Sequence, residues 1–224
     1  EAFWLTFLAI HFGKNKMTNW NLLRFIYMGN GVGQNWTWQK ISNNINAFRN
    51  WLHTNQRQLK ATGNFGNHRK YTSLNALGSN GTGEAIETYV NWIGQAGHQS
   101  FFQSVNSSIN NSTPKILFNR LYHSMNQVAQ FGRTARFDYL TMVGKLGLYN
   151  IEPDSTYMDG STGPYSGANL LFLNNIKGNM QKKNLDQLLT NLETHLGLYF
   201  GMQVLEDALC NWQKSPDKYI HFVG

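Results

Sequence analysis

Cysteine is nearly absent. The single Cys210 has no partner for an intramolecular disulfide and falls short of the thiolates needed by a zinc ribbon or a four-cysteine iron–sulfur cluster. Such poverty suits a reducing compartment, so a cytoplasmic location is expected. Charge is sparse too, at 14% of residues, and acids are sparser than bases: 12 Asp and Glu against 19 Lys and Arg give a net charge of +7. A cationic excess gains free energy on polyanions by releasing their condensed counterions, which favours nucleic acid as partner. The apolar segment FWLTFLAIHFG at 3–13 carries His11, follows Glu1 and is well short of a bilayer span of about 20 residues. It reads as a core helix; no membrane association and no obligate protein partner are expected. Stretches alternating at period two are scarce, which argues against a sheet.

What remains is ample for a core, since 41% of residues are hydrophobic and 14% aromatic. Helical spacing dominates, so an all-α fold is expected. In ILFNRLYHSMNQVAQ, residues Leu117, Leu121, Met125 and Val128 fall on one stripe. In LDQLLTNLETHLG, Leu185, Leu188, Leu189, Leu192 and Leu196 share a face and Gly197 stops the helix. A last helix, MQVLEDALCNWQK, buries Val204, Leu205, Ala208, Leu209 and Trp212. Further helices are expected at 2–12, 19–28, 44–60, 84–94 and 97–110, with a long connection over 150–167. Residues 1–224 should form one globular helical domain, or two lobes with a cleft near 60–71, 130–167 and 201–214.

The stretch FGRTARFDYLTMVGKLGLYNIEPD at 131–154 joins a glycine turn to an apolar helix and then to a loop with an acid. A helix pair joined in this way aims backbone N–H groups at a phosphate, and Gly132 leaves no Cβ in the way. Arg133 and Arg136 would add charge there. The plain rival is an αα-hairpin whose glycine caps a helix. NFGNHRKY at 64–71 combines glycine-flanked turns with His68, Arg69, Lys70 and Tyr71, and reads as a loop gripping a strand, with Asn67 and His68 near a base edge. In the last helix Glu206, Cys210 and Lys214 form one polar stripe with Asp207 and Asn211 nearby, either lining a base pocket or lying in solvent. GNGVGQNWTW at 29–38 lacks the preceding strand that a dinucleotide fingerprint needs, and its tryptophans read as core.

The segment FGRTARFDYLTMVGKLGLYNIEPDST resembles the helix–hairpin–helix DNA glycosylases, in which such a turn and helix lead to a loop bearing an acid. The resemblance maps that acid to Asp154, 22 residues after Gly132. Gln130 stands where the usual turn has its first glycine, and Ser155-Thr156 replace a more usual Thr-His pair. Arg133 and Thr134 stand where lyase members of that group carry a lysine, which speaks against a Schiff base. FGNHRKY, FGRTARFDYLTMVGKLGL, GSTGPYSGANLLF and GMQVLEDALCNWQK, in that order, are similar to the alpha-glutamyl/putrescinyl thymine pyrophosphorylase family.

These resemblances imply a helix–hairpin–helix glycosylase-like fold and a site built on Asp154. The leading expectation is a monofunctional DNA glycosylase, a hydrolase that flips out and excises a bulky modified pyrimidine from phage-type DNA, as a defence against phages. Its carboxylate would stabilise the sugar cation, with Asp138 as the second candidate acid. Asp138 has a rival reading as an ion pair with Arg133 or Arg136. No metal and no cofactor is called for. The alternative is a transferase that displaces pyrophosphate from an activated hydroxymethylpyrimidine with an amine; a second alternative is a non-catalytic module that binds modified DNA.

Overall fold

The computed structural model describes residues 1–29, 35–66, 68 and 72–221. Among the described residues the chain is helical throughout and has no strand, only an isolated bridge between Asn15 and Asn19. The chain divides into two compact units, Glu1–Ser112 with Arg120–Asn150, and Thr113–Asn119 with Ile151–Gly224.

The first unit is organised on α1, Ala2–Phe12, which is apolar on every side because it is enclosed on most sides. Its Trp4, Phe7, Leu8 and Phe12 are at most 1% exposed. α2 (Asn21–Tyr27), α3 (Trp38–Asn43), α4 (Ile45–Thr54), α5 (Gln56–Thr62), α6 (Thr82–Ile93) and α7 (Gly97–Ser107) follow. α8, Pro114–Ser124, starts in the second unit and ends in the first, and α9, Arg133–Lys145, comes after a short 3-10 turn at Met125–Gln127. Phe7 stacks on Tyr89 of α6 at 3.7 Å and on Phe131 at 4.6 Å between ring centroids, and meets Tyr139 of α9 edge-on. Aromatic faces in such offset and edge contacts add to the area they remove from water.

Several polar groups inside this core pair with one another. The Tyr89 hydroxyl lies 2.8 Å from the Tyr139 hydroxyl and 2.7 Å from Nε2 of His98. Burial holds His98 down to about 3, so its ring is neutral, and burial pushes both tyrosine hydroxyls up. His11 Nε2 pairs with Thr82 Oγ1 at 3.1 Å. Arg49 of α4 donates to the carbonyls of Ala76 and Leu77 and pairs with Glu87 of α6 at 2.5 Å.

The second unit contains α10 (Gly163–Leu173), α11 (Lys182–Leu196) and α12 (Gly201–Trp212). Met158, Ala168, Leu185, Leu189, Leu205 and Leu209 form its buried core. α10 lies close on α12 because two glycines one turn apart face it. A Cβ on Gly167 would collide with the Leu209 carbonyl, and one on Gly163 would sit 2.8 Å from Cys210 Sγ.

Several expectations change. The helix expected over 44–60 breaks at Asn55, whose side-chain amide donates to the Trp51 carbonyl at 2.8 Å and competes with the helical backbone. The connection expected over 150–167 ends earlier, because α10 begins at Gly163 with Pro164 in its first turn. α3 was not expected; Thr37 caps it by accepting from Lys40 N. In α12 the expected burial of Val204, Ala208 and Trp212 does not hold: Val204 and Trp212 are each 39% exposed and Ala208 is exposed, whereas Glu206 is buried. Leu196, expected on the buried face of α11, is also exposed. The stripe of Leu117, Leu121, Met125 and Val128 is buried, and Gly197 ends α11 in the left-handed conformation at φ 59°.

Candidate functional site

Two features follow from the fold, one in each unit. In the first, Val128, Ala129, Gln130 and Phe131 turn the chain into α9. Phe131 is buried against Phe7, Ala129 N donates to Thr88 Oγ1, and Gln130 takes a left-handed φ of 64°. Gly132 is the N-cap at φ −69° with no side-chain cap, and a Cβ there would meet nothing within 4 Å. The fold itself therefore does not demand glycine at 132. The first-turn N–H groups of α9 begin a 13-residue helix with no acid in its first turn, a positive dipole end.

Its two arginines sit differently from the simple expectation of paired phosphate forks. The Arg136 guanidinium lies 4.5 Å from the centroid of the Tyr122 ring and donates to the Tyr122 carbonyl at 3.4 Å, so it is partly spent on the fold. Arg133 lies 5.5 Å from the Phe137 ring and is half-buried. Asp138 is half-buried on the same helix.

The second feature is the loop between Ile151 and α10. Asp154 is half-buried, with both carboxylate oxygens engaged: Asn119 Nδ2 donates to Oδ2 at 2.9 Å and the Tyr157 hydroxyl to Oδ1 at 2.6 Å. Asn119 Nδ2 also approaches the Tyr157 hydroxyl at 3.3 Å. An ionised carboxylate offers about four acceptor positions, so these donors fix its orientation without exhausting it. Asn119 comes from the part of α8 that belongs to this unit, and the Glu152 N–H donates to the Pro114 carbonyl at the start of that helix. One turn before Asn119, Lys115 pairs with the buried Glu193 of α11 at 2.6 Å.

The other expected site residues scatter. His68 is exposed, while Asn67, Arg69, Lys70 and Tyr71 lie outside the described residues. On α12 the expected single polar stripe divides: Glu206 is only 8% exposed, Cys210 packs against Gly163, and Lys214 is exposed. Asn211 accepts from Lys214 Nζ at 3.2 Å and donates to the Asp207 carbonyl at 2.8 Å, so these side chains serve each other. Asn119, Tyr157 and Asp186 were missed by sequence reasoning. The only signal for Asn119 was its place off the apolar stripe of its helix.

Among the described residues no group of three or more His, Cys, Asp or Glu is placed to hold a metal ion. Nor is any helix there long and apolar enough to cross a membrane.

The chain is all-helical among its described elements, with one carboxylate oriented by two donors on a structured loop. More narrowly, the chain belongs to the alpha-glutamyl/putrescinyl thymine pyrophosphorylase family, clade 3, whose model matches residues 1–224. The resemblance read from the four segments is thus borne out over the whole chain. No curated protein and no solved structure shows a significant match. The all-helical class holds, while the helix–hairpin–helix glycosylase-like arrangement remains an expectation of the sequence. The family is described as a pyrophosphorylase, a transferase type, and that overturns the expectation of a monofunctional, hydrolytic DNA glycosylase and of excision as a phage defence. A thymine-modifying family points to involvement with DNA.

Proposed function

We propose that this chain transfers an amine onto an activated hydroxymethylpyrimidine in DNA, displacing pyrophosphate. In this reaction the amine nitrogen attacks the exocyclic methylene and a C–N bond forms. The C–O bond breaks, and pyrophosphate departs with the bonding electrons. The attached nitrogen then loses a proton. The family's description supports glutamate or putrescine as the amine, and the net charge of +7 supports DNA as the carrier of the base.

The observation that carries the reading within this family is the carboxylate of Asp154, oriented by Asn119 and Tyr157 and still able to accept. It would draw in the ammonium form of the amine, take from it the proton that must leave before the nitrogen can attack, and orient the freed lone pair; the second proton, lost once the C–N bond has formed, passes to water. The open space over Gly132 and the unopposed start of α9 suit a phosphate of the DNA strand. Their role is affinity, separate from the transfer step.

A duplex oligonucleotide carrying a pyrophosphorylated hydroxymethyluracil, incubated with glutamate or putrescine, tests this directly. Pyrophosphate should appear in step with incorporation of the amine, the DNA changing in mass by the amine added minus the pyrophosphoric acid lost, a net fall for either amine. Asp154→Asn should lower kcat about 100- to 1,000-fold while DNA affinity stays within about threefold. Free base or abasic sites in place of the amine-for-pyrophosphate exchange would remove the proposal, as would full turnover in the Asp154→Asn protein.

A further inference from the structure

Asp186, on α11, is 32 residues from Asp154 in sequence and belongs to no motif the sequence displays. Its carboxylate nevertheless gathers the loop that carries Asp154. Ser155 Oγ donates to Oδ1 at 2.8 Å, Thr156 Oγ1 to Oδ1 at 2.6 Å, and the Met158 N–H to Oδ2 at 3.2 Å. Ser155 Oγ in turn accepts from the Tyr157 N–H at 2.9 Å. Every residue from 155 to 158 is therefore tied, directly or through one hydroxyl, to a single side chain.

The residue inside that set of ties is strained. Tyr157 has φ 49°, a left-handed conformation that is unfavourable for an aromatic residue and persists only where its surroundings over-determine it. The conformation sends the Tyr157 hydroxyl back onto Asp154 Oδ1, three residues earlier, at 2.6 Å. Hydrogen bonds to an ionised acceptor are among the stronger ones available, and Asp186 supplies three of them at the flanks of the strained residue. Ser155 and Thr156 are thereby explained as well. They provide the hydroxyls that Asp186 grips.

We propose that Asp186 is a positioning residue. It holds the 155–158 loop in a strained form so that Tyr157 fixes the Asp154 carboxylate in the orientation that receives the amine. The inference rests on the transfer reading for its catalytic part and on the loop geometry alone for its positioning part. It predicts that Tyr157 and Asp186 act as one device.

A double-mutant cycle tests the coupling. Asp186→Asn replaces one acceptor oxygen by a donor, and should lower kcat about 10- to 100-fold with KM for the amine changed less than about threefold. Tyr157→Phe should lower kcat by a similar factor. The double variant should be no worse than Asp186→Asn alone, because the hydroxyl has already lost its place. Thr156→Val should follow Asp186→Asn, and Thr156→Ser, which keeps the hydroxyl, should rescue kcat to within about threefold of the parent. The same cycle is read a second time in the unfolding equilibrium, without any substrate. There Tyr157→Phe should shift the unfolding constant about fivefold in the parent and not at all beside Asp186→Asn. Additive losses in both readouts would overturn the proposal, as would an unchanged kcat in Asp186→Asn when the parent is active. Non-additivity in unfolding together with an inactive parent would uphold the positioning part and sink the transfer reading instead.

Discussion

The two units treat their polar groups in opposite ways. In the first, Tyr139, Tyr89 and His98 are sealed in an aromatic core and use their hydrogen-bonding capacity on one another. In the second, Asp154 is half-buried, held by two donors, and keeps capacity for more. The first arrangement specifies a fold, since a buried polar group is tolerated only where its partners are in place. The second is poised for something outside the chain. Burial and polarity alone would have ranked the His98 network as the more unusual chemistry; spare acceptor capacity separates structure from site.

The contrast breaks most visibly at Phe7. Phe7→Ala removes the ring that stacks on Tyr89 and Phe131 and leaves a cavity beside the Tyr89–Tyr139 pair. A loss of about 3–5 kcal/mol in unfolding free energy is expected. Asp154→Asn, by comparison, should cost only about 1 kcal/mol, because Oδ1 can still accept from Tyr157. Urea unfolding of the two proteins checks both. A large stability loss in Asp154→Asn would mean that the loop acid is structural after all.

The pH dependence of the first unit sharpens the comparison further. His98 has a folded value of about 3 against an ordinary 6.5, held down chiefly by burial. Between those values the unfolded chain binds a proton that the folded chain refuses. Stability therefore falls as pH drops from about 6.5 toward 3, at up to about 1.4 kcal/mol per pH unit from this group. His98→Asn cannot titrate, so the difference in unfolding free energy between parent and variant should depend on pH with that slope and level off above about 7. A difference independent of pH between 4 and 6 would show that the ring reaches water when it is protonated.

Much of the fold was legible because burial imposes a period. The stripe from Leu117 to Val128 and the largely apolar α1 declare themselves; the stripe is buried, and α1 is buried over most of its surface. α10 did not, because Gly163 and Gly167 lower its helix propensity locally, and the reason for them, close approach to Leu209 and Cys210, lies more than 40 residues away. In α12 the period was right and the face only partly so: Leu205 and Leu209 are buried as expected, whereas Val204, Ala208 and Trp212, which repeat every four residues as well as any core stripe, are exposed and Glu206 is buried in their stead. Periodicity gives a spacing and leaves the buried side to tertiary context. The surroundings of Asp154 were beyond reach for a related reason. Asn119, 35 residues before it, and Asp186, 32 after, act through side-chain hydrogen bonds that follow no repeat.

The smallest expected effect concerns Gln130, which occupies the turn position where the resemblance called for glycine. Its φ of 64° is left-handed, a conformation that costs a residue with a Cβ about 1–2 kcal/mol. Against that stands a hydrogen bond from its side chain to Asn80 Oδ1 at 3.3 Å, exposed and so worth little. Gln130→Gly would remove the steric cost while adding about 0.5–1 kcal/mol of unfolded-chain entropy. The two nearly cancel, so a gain of about 0.5 kcal/mol in unfolding free energy is expected, with an unchanged denaturant slope. A loss greater than about 1 kcal/mol would mean that the glutamine side chain, rather than the turn it strains, is what fixes the entry into α9. The difference from the glycine pattern would then be an alternative way of building the turn, with the amide taking over a task that backbone freedom performs elsewhere.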